Sequence, residues 1–131
     1  MRFLVVDDDE RVALLLSKKL AAYGECVLAG SGEDALARFA ECYDAGQPFQ
    51  AVFMDIKMPG MDGHEVVRRM RELESRRGKN PLESFKLVMI SAFSDPKNVC
   101  QSFFQGQADA FVAKADIKDS LVRELKAIKL I

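Results

Sequence analysis

The sequence predicts a single α/β domain built around a parallel β-sheet, and two observations lead to this prediction. Short apolar runs recur along the chain: FLVV (3–6), AVFM (51–54), LVMI (87–90) and AFV (110–112), with a weaker run CVLA (26–29). The four stronger runs are continuous rather than alternating, which is typical of strands buried on both faces of a parallel sheet. Helical patterns separate the runs, so right-handed β-α-β crossovers predict a doubly wound sheet with helices on both faces.

A helical pattern follows each strand in order. These segments are predicted to be helices because their apolar residues recur at intervals of three or four. The positions are Val12, Leu16, Leu20 and Tyr23; Leu36, Phe39 and Tyr43; Val66, Met70 and Leu73; and Ile117, Leu121, Leu125 and Ile128. A further helix is predicted after Asp95-Pro96, with Val99 and Phe103 on its apolar side and a stop near Gly106. The chain therefore alternates strand and helix five times.

Several polar residues predict where these helices begin. Asp9 is expected to cap the first helix, and Ser31 with Asp34 resembles a capping box. The same pattern predicts caps at Asp62 and Asp116.

Composition restricts the classes of function. The 131 residues are 49% hydrophobic and 30% charged, with a formal net charge of -1, so no global field attracts nucleic acid or a membrane. No apolar stretch approaches the length of a membrane span, and the N-terminal apolar run is too short for the core of a signal peptide. We therefore predict a cytoplasmic protein. Cys26, Cys42 and Cys100 lack the spacing of a metal site and are interpreted as reduced, largely buried thiols.

The segment SRRGKNPLESF (75–85) is long and polar for a connection between a helix and a strand. We interpret it as an exposed extension of unassigned role. The arginines before and within it (Arg68, Arg69, Arg71, Arg76 and Arg77) alternate with Glu65, Glu72 and Glu74, which favours a solvated helix over nucleic-acid binding.

Polar residues follow each of the four strong strands. Asp7-Asp8-Asp9 follows the first, Asp55 the third, Ser91 the fourth and Lys114 the fifth. In open α/β sheets, ligands bind outside the carboxyl ends of the strands. The sequence therefore predicts that these side chains meet in one crevice.

The charges of this crevice predict its chemistry. Asp7, Asp8 and Asp55 bring three negative charges and Lys114 one positive charge, and the remaining two negatives are costly in a partly buried site. Mg²⁺ would offset them, since it needs few carboxylates and keeps water or phosphate oxygens as its other ligands. Together with a lysine, a hydroxyl and an available carboxylate, such a site has the parts for phosphoryl transfer to an aspartate.

The motifs at these positions resemble those of the receiver domains of two-component response regulators, in particular the single-domain, chemotaxis-regulator-like members. The resemblance rests on VVDD (5–8), DIKMPGMDG (55–63), SA (91–92) and AFVAK (110–114), and it covers nearly the whole chain, so 1–131 is expected to be one receiver domain. It implies a flavodoxin-like (βα)5 fold with strand order 2-1-3-4-5.

The resemblance also implies roles for individual residues. Asp55 would be the phosphorylated residue. Asp8 would be the main acidic Mg²⁺ ligand, with Asp7 completing the acidic pair, Asp55 itself contributing, and Lys57 giving its backbone carbonyl. Lys114 would pair with a phosphoryl oxygen.

Two further residues would report the phosphorylated state. Ser91 would hydrogen-bond a phosphoryl oxygen, and Phe111 occupies the position of the family's switch aromatic. Phe111 as an ordinary core residue remains an alternative. The family usually has proline after its lysine, whereas Ala115 follows Lys114 here, so either a trans or a strained peptide bond is expected.

By this resemblance the chain would accept a phosphoryl group from a histidine kinase or a histidine phosphotransfer protein. It would catalyse only its own phosphorylation and dephosphorylation. The signal would pass to a protein partner through the face formed by the fourth helix, fifth strand and fifth helix, and phosphorylation could also drive homodimerisation. The chain is expected to be a stand-alone receiver or a part of a longer regulator.

Two other functions fit parts of the pattern. A Mg²⁺-dependent phosphohydrolase of the haloacid dehalogenase class also uses an aspartyl nucleophile, and Asp7 and Asp9 have its D-x-D spacing. However, no cap segment is evident that could form a substrate pocket. The acidic motif that this enzyme class has near the end of its chain is also missing. An interaction module that is never phosphorylated is the third hypothesis.

Overall fold

A computed structural model describes residues 1–55, 63–78, 83–92 and 108–131. Its five parallel strands are β1 (Arg2–Val6), β2 (Glu25–Ala29), β3 (Ala51–Asp55), β4 (Lys86–Ser91) and β5 (Ala110–Ala113). They form one sheet in the order β2-β1-β3-β4-β5, which confirms the predicted fold. Each strand extends the apolar run that predicted it by one or two residues.

Four α-helices lie within the described residues. They are α1 (Glu10–Leu20), α2 (Gly32–Asp44), α3 (Gly63–Arg76) and the C-terminal helix (Ile117–Ala127), which follows a 3-10 turn at Lys114–Asp116. The helix predicted around Val99 and Phe103, the cap at Asp62, and Cys100 lie outside the described residues. Every helix of the described part is too short or too polar to span a membrane.

Two of the predicted caps are confirmed and one is wrong. An Asp9 carboxylate oxygen accepts a hydrogen bond from the Arg11 amide at 3.0 Å, and the Ser31 hydroxyl accepts one from the Asp34 amide at 3.1 Å. Asp116 makes no side-chain cap, because the preceding 3-10 turn leaves it at φ -118° and ψ 15° rather than extended. An extended cap residue is what turns its side chain back onto the first amides of the helix.

The sheet has a hydrophobic core on each face. On one face, Leu4, Val52 and Leu87 pack with Phe39 of α2 and Met70 of α3. On the other, the neighbouring residues Phe3, Phe53 and Val88 pack with Leu16 of α1 and Leu121 of the C-terminal helix. Successive side chains of a strand point to opposite faces, so a sheet covered on both sides requires the continuous apolar runs seen in the sequence.

The central strands β1, β3 and β4 are buried except at Arg2 and Lys86, whereas the edge strands are more exposed. Only Ala29 of β2 is buried, and β5 alternates between buried and half-buried residues, so the prediction of burial on both faces is wrong for β5. Cys26 and Cys42 are free and half-buried, which is less burial than predicted.

The interpretation of 75–85 as an exposed extension after the third helix holds only in part: residues 75–78 are exposed, but the segment begins inside α3 and ends on a buried residue. Ser75 and Arg76 complete α3, which ends before Gly78, a glycine at φ 74°. Phe85 is buried and makes an edge-to-face contact with Phe39, the ring centroids 5.5 Å apart. The residues between, 79–82, lie outside the described part.

The arginine-rich helix is solvated only in part. Arg68, Arg69 and Arg76 form exposed ion pairs with Glu65 and Glu72, as predicted. By contrast, Arg71 and Glu74 are drawn inwards: Arg71 donates to the Phe85 carbonyl at 2.9 Å and to Ser84, and Ser84 donates to the buried Glu74. The guanidinium carbon of Arg71 also lies 3.9 Å from the centre of the Phe85 ring.

Candidate functional site

The carboxyl edge of the sheet gathers the predicted site residues that the structure describes. Asp55 is the last residue of β3 and Ser91 the last of β4, while Asp7 follows β1 and Lys114 follows β5. The Asp7 amide donates to the Ala29 carbonyl at 3.1 Å, which holds Asp7 in line with the β1–β2 pairing. Because the strands are parallel, all these residues leave the sheet at the same edge.

Three carboxylates cluster there. Asp7, Asp8 and Asp55 each place an oxygen within 4.8 Å of the others. Asp7 and Asp55 are each 4% exposed, whereas Asp8 is exposed to solvent. One oxygen of Asp7 accepts a hydrogen bond from the Asp9 amide at 2.8 Å, which fixes the direction of the carboxylate.

Lys114 supplies a positive charge to this cluster. Its Nζ lies 3.2 Å from Oδ2 of Asp55 and 3.3 Å from Oδ2 of Asp7. Burial alone would lower the pKa of Lys114, but the charges of Asp55 and Asp7 and their hydrogen bonds outweigh it, so the pKa is raised above its usual value. One ammonium against three carboxylates leaves the described cluster with an excess of two negative charges.

The donor set fits a hard divalent cation. Among the described residues, Oδ2 of Asp7 is buried without a hydrogen-bond partner of good geometry, and its close contact is the ion pair with Lys114. Carboxylate oxygens, one of them beside solvent at Asp8, are the ligands that Mg²⁺ takes while it keeps several waters. Asp7, Asp8 and Asp55 are therefore the described residues that could hold Mg²⁺. Lys57, whose carbonyl was predicted as a ligand, lies outside the described residues.

Ser91 and Phe111 lie on the neighbouring strands β4 and β5. Ser91 is buried and pairs with Ala113 in the register of β4 and β5, one residue before Lys114. Phe111 is half-buried and packs against the core that contains Phe39 and Met70. The bond between Lys114 and Ala115 is trans, one of the two expected outcomes.

Two exposed apolar residues beside this site, Leu14 of α1 and Leu28 of β2, were not predicted. A signal was present for Leu14, because Leu14, Leu15 and Leu16 are consecutive and three successive helical residues cannot all face one core. Nothing in the sequence distinguished Leu28, since its exposure depends on β2 being an edge strand.

The chain is similar to signalling proteins of several organisms, among them Oryza sativa and Dictyostelium discoideum. The two-component response regulator ORR41 of Oryza sativa subsp. japonica is 35% identical over 124 residues, covering 92% of this chain and 88% of that protein. The hybrid signal transduction histidine kinase L of Dictyostelium discoideum is 34% identical over 131 residues. That match covers 95% of this chain but only 7% of the kinase, so the chain corresponds to one segment of it.

A solved structure and a family profile indicate the same protein family as these relatives. The receiver domain of the histidine kinase CKI1 from Arabidopsis thaliana, complexed with Mg²⁺ and BeF₃⁻, superposes with a TM-score of 0.78 at 26% identity. The superposition covers 99% of this chain and 90% of that domain. The profile of the response regulator receiver domain matches residues 3–126. The chain therefore belongs to the response regulator receiver domain family.

Proposed function

We propose that the chain is a phosphorylation-dependent switch of a two-component or phosphorelay system, with Asp55 as the phosphorylated residue. The supporting observation is the position of Asp55: a buried carboxylate on the end of a rigid central strand, clustered with Asp7 and Asp8 and 3.2 Å from Lys114. A carboxylate held in this way is a nucleophile that needs no further orientation.

The proposed reaction is transfer of a phosphoryl group from a phosphohistidine to Asp55. An Asp55 carboxylate oxygen bonds to phosphorus as the phosphorus–nitrogen bond breaks, and the imidazole nitrogen keeps the electron pair. The product is an acyl phosphate on Asp55. Lys114, already in contact with Asp55, would follow the new charge to a phosphoryl oxygen, and the Ser91 hydroxyl would donate to another.

The excess negative charge of the site is the reason for a cation requirement. Asp7, Asp8 and Asp55 would hold Mg²⁺, with the Lys57 carbonyl as a further ligand implied by the family resemblance. When bound, Mg²⁺ supplies positive charge that neutralises phosphoryl oxygens. The Mg²⁺ in the CKI1 receiver structure supports this choice of metal.

Phosphorylation would be read through Ser91 and Phe111. A dianion at Asp55 would attract Ser91, whose strand pairs directly with β5, and the space vacated would let Phe111 rotate inwards. This movement would reshape the face made by β5, the C-terminal helix and the predicted fourth helix. A protein partner, or a second copy of the chain, would bind the reshaped face.

A histidine kinase or a phosphotransfer protein would supply the phosphoryl group, as the names of the kinase relatives suggest. The chain would catalyse only its own phosphorylation and dephosphorylation. The cytoplasmic location remains a prediction from the sequence. The phosphohydrolase alternative has less support, because Asp9, the second carboxylate of its D-x-D spacing, caps α1.

Labelling with acetyl phosphate and Mg²⁺ tests the proposal. The chain should gain the mass of one phosphoryl group, and Asp55→Asn should lose that gain because an amide is not a nucleophile. Asp119→Asn, a change at an exposed aspartate of the C-terminal helix, is the matched control and should label normally. Labelling that persists in Asp55→Asn would exclude Asp55 as the acceptor, and rapid turnover of p-nitrophenyl phosphate would favour the phosphohydrolase.

A further inference from the structure

A groove lies between α2 and α3, on the face of the sheet that these two helices cover. It encloses about 390 Å³. Its floor is apolar, because Phe39 and Met70 are buried beneath it and Leu36, Ala40 and Leu73 are half-buried along it. The short side chain of Ala40 keeps part of this space open, since a longer side chain at that position would enter the groove.

The groove lies apart from the candidate phosphorylation site. Both helices start at the carboxyl edge of the sheet, where β2 and β3 end, and the residues of α3 that line the groove belong to the second half of that helix. Among the described residues, those lining the groove include none from the carboxylate cluster, β5 or the C-terminal helix. Binding there is therefore a property separate from the proposed switch.

The rim of the groove carries an excess of positive charge. Arg68, Arg69 and Arg76 line it together with one carboxylate, Glu72. Glu65 pairs with Arg68 and Arg69 from outside the lining, which still leaves one positive charge in excess. Arg76 is the most exposed of the three, at 77%, and its nitrogen lies 3.5 Å from Glu72. A guanidinium has five N–H donors, so these ion pairs leave donors for a further carboxylate.

We propose that this groove binds an amphipathic helix of another protein, with aspartate or glutamate along one flank of its apolar face. The arginines all belong to α3, whereas α2 contributes apolar residues to the lining, so the acidic flank should lie on the α3 side. Burial of apolar side chains against the floor would supply affinity, and charge-assisted hydrogen bonds from the arginines would supply orientation.

The apolar floor distinguishes this partner from a nucleic acid. A phosphate backbone is bound through a basic surface that neutralises several phosphates, and Glu72 interrupts such a surface here. Two adjacent helices also form a lengthwise depression that the side-chain ridge of a third helix can fill. Both features favour an acidic helix.

A selection from helical peptides tests the proposal without assuming a sequence. A phage-displayed library of peptides of about 18 residues, long enough to form a helix, is bound to the wild-type chain. Peptides that also bind Ala40→Gln, which places a longer polar side chain in the groove, are removed. The enriched peptides should carry apolar residues at helical spacing with acidic residues on one flank. Enrichment of basic or uncharged peptides, or of none that distinguishes the two chains, would overturn the proposal.

Fluorescence anisotropy then measures the affinity of an enriched peptide. Ala40→Gln should weaken binding about tenfold, because it fills the groove. The double variant Arg69→Gln/Arg76→Gln should weaken it about fivefold. Glu72→Gln should strengthen it about threefold, because this change removes the carboxylate that repels the acidic flank. Weaker binding by Glu72→Gln would contradict the assigned charge of the partner.

The controls make the same kinds of change at exposed positions of α2 outside the groove lining. Ala37→Gln and Arg38→Gln should bind the peptide within about twofold of wild type, and circular dichroism shows that each variant is folded. A loss in Arg38→Gln equal to that of the double arginine variant would overturn the proposal, since the peptide would then respond only to overall charge. A wild-type dimer that Ala40→Gln dissociates in analytical ultracentrifugation would also overturn it, because a second copy of the chain would then occupy the groove.

Discussion

The carboxyl and amino edges of the sheet, where the parallel strands end and begin, each bury a carboxylate beside a basic side chain. The two edges differ in the balance of their charges. At the carboxyl edge, Asp7 and Asp55 are buried with Asp8 nearby, and Lys114 is the cation that contacts them. At the amino edge, Glu74 is as deeply buried and is linked through Ser84 to Arg71. Six residues of β4, or about 20 Å, separate the two edges.

This difference shows that burial of charge does not by itself identify a functional site. In the Arg71 cluster, one guanidinium contacts the carboxylate of Glu74, the hydroxyl of Ser84, and the carbonyl and ring of Phe85. These contacts hold α3 against the start of β4. The carboxyl edge instead keeps negative charge in excess, which folding alone does not require. Excess charge that a ligand can offset is the feature that distinguishes the candidate site.

The largest effect on stability is expected at the amino edge. Arg71→Met removes the donor to Phe85 and Ser84 and the ion pair with the buried Glu74, so the free energy of unfolding should fall by about 3 kcal/mol. Urea denaturation measures this change. Arg69→Met, which loses only an exposed ion pair, should change it by less than about 0.5 kcal/mol. Acetyl phosphate should still label the folded Arg71→Met chain, and a loss of labelling would mean that the two edges are coupled.

A smaller loss of stability, accompanied by a change in chemistry, is expected at the carboxyl edge. Lys114→Met removes the ion pairs that Lys114 makes with Asp7 and Asp55, and because Lys114 keeps 22% exposure the free energy of unfolding should fall by about 2 kcal/mol. Mg²⁺ should stabilise this variant more than the wild type, since it offsets a larger excess charge. Denaturation with and without Mg²⁺ checks both points, with the exposed Lys118→Met as control. Equal responses of Lys114→Met and Lys118→Met to Mg²⁺ would argue against a cation site at these carboxylates.

The smallest effect is expected on the solvated side of α3, away from both clusters. Hydrogen bonds from Arg68 and Arg69 lower the pKa of Glu65 from 4.5 to about 2. Because the pKa is lower in the folded chain, the stabilisation is present above about pH 4.5 and is lost as the pH falls through about 2. Solvent screens these exposed pairs, so Glu65→Gln should barely change stability at neutral pH. An NMR titration of the Glu65 carboxyl checks the pKa, and an ordinary midpoint near 4.5 would show that the ion pairs do not persist in solution.

The carboxyl edge could be predicted from sequence because its residues are tied to strand ends. A run such as AVFM followed by Asp55 gives both the strand and the position of the carboxylate, and parallel pairing brings the strand ends together without further information. The same logic placed Asp7, Ser91 and Lys114. The Arg71 cluster could not be predicted in this way, because Arg71 and Phe85 are 14 residues apart and no regular element relates them.

The sequence by itself determined the five strands, their polar ends and the family, since period and motif are local properties of the chain. The tertiary structure alone decided which charges are buried and that Leu28 is exposed. Arg71 and Glu74 look identical in sequence to their solvated neighbours on α3, and Leu28 resembles any other strand residue. Burial depends on what packs against a residue from distant parts of the chain. The charge excess at Asp55 was therefore predictable from the strand ends, whereas the balanced cluster at Arg71 and the exposure of Leu28 were not.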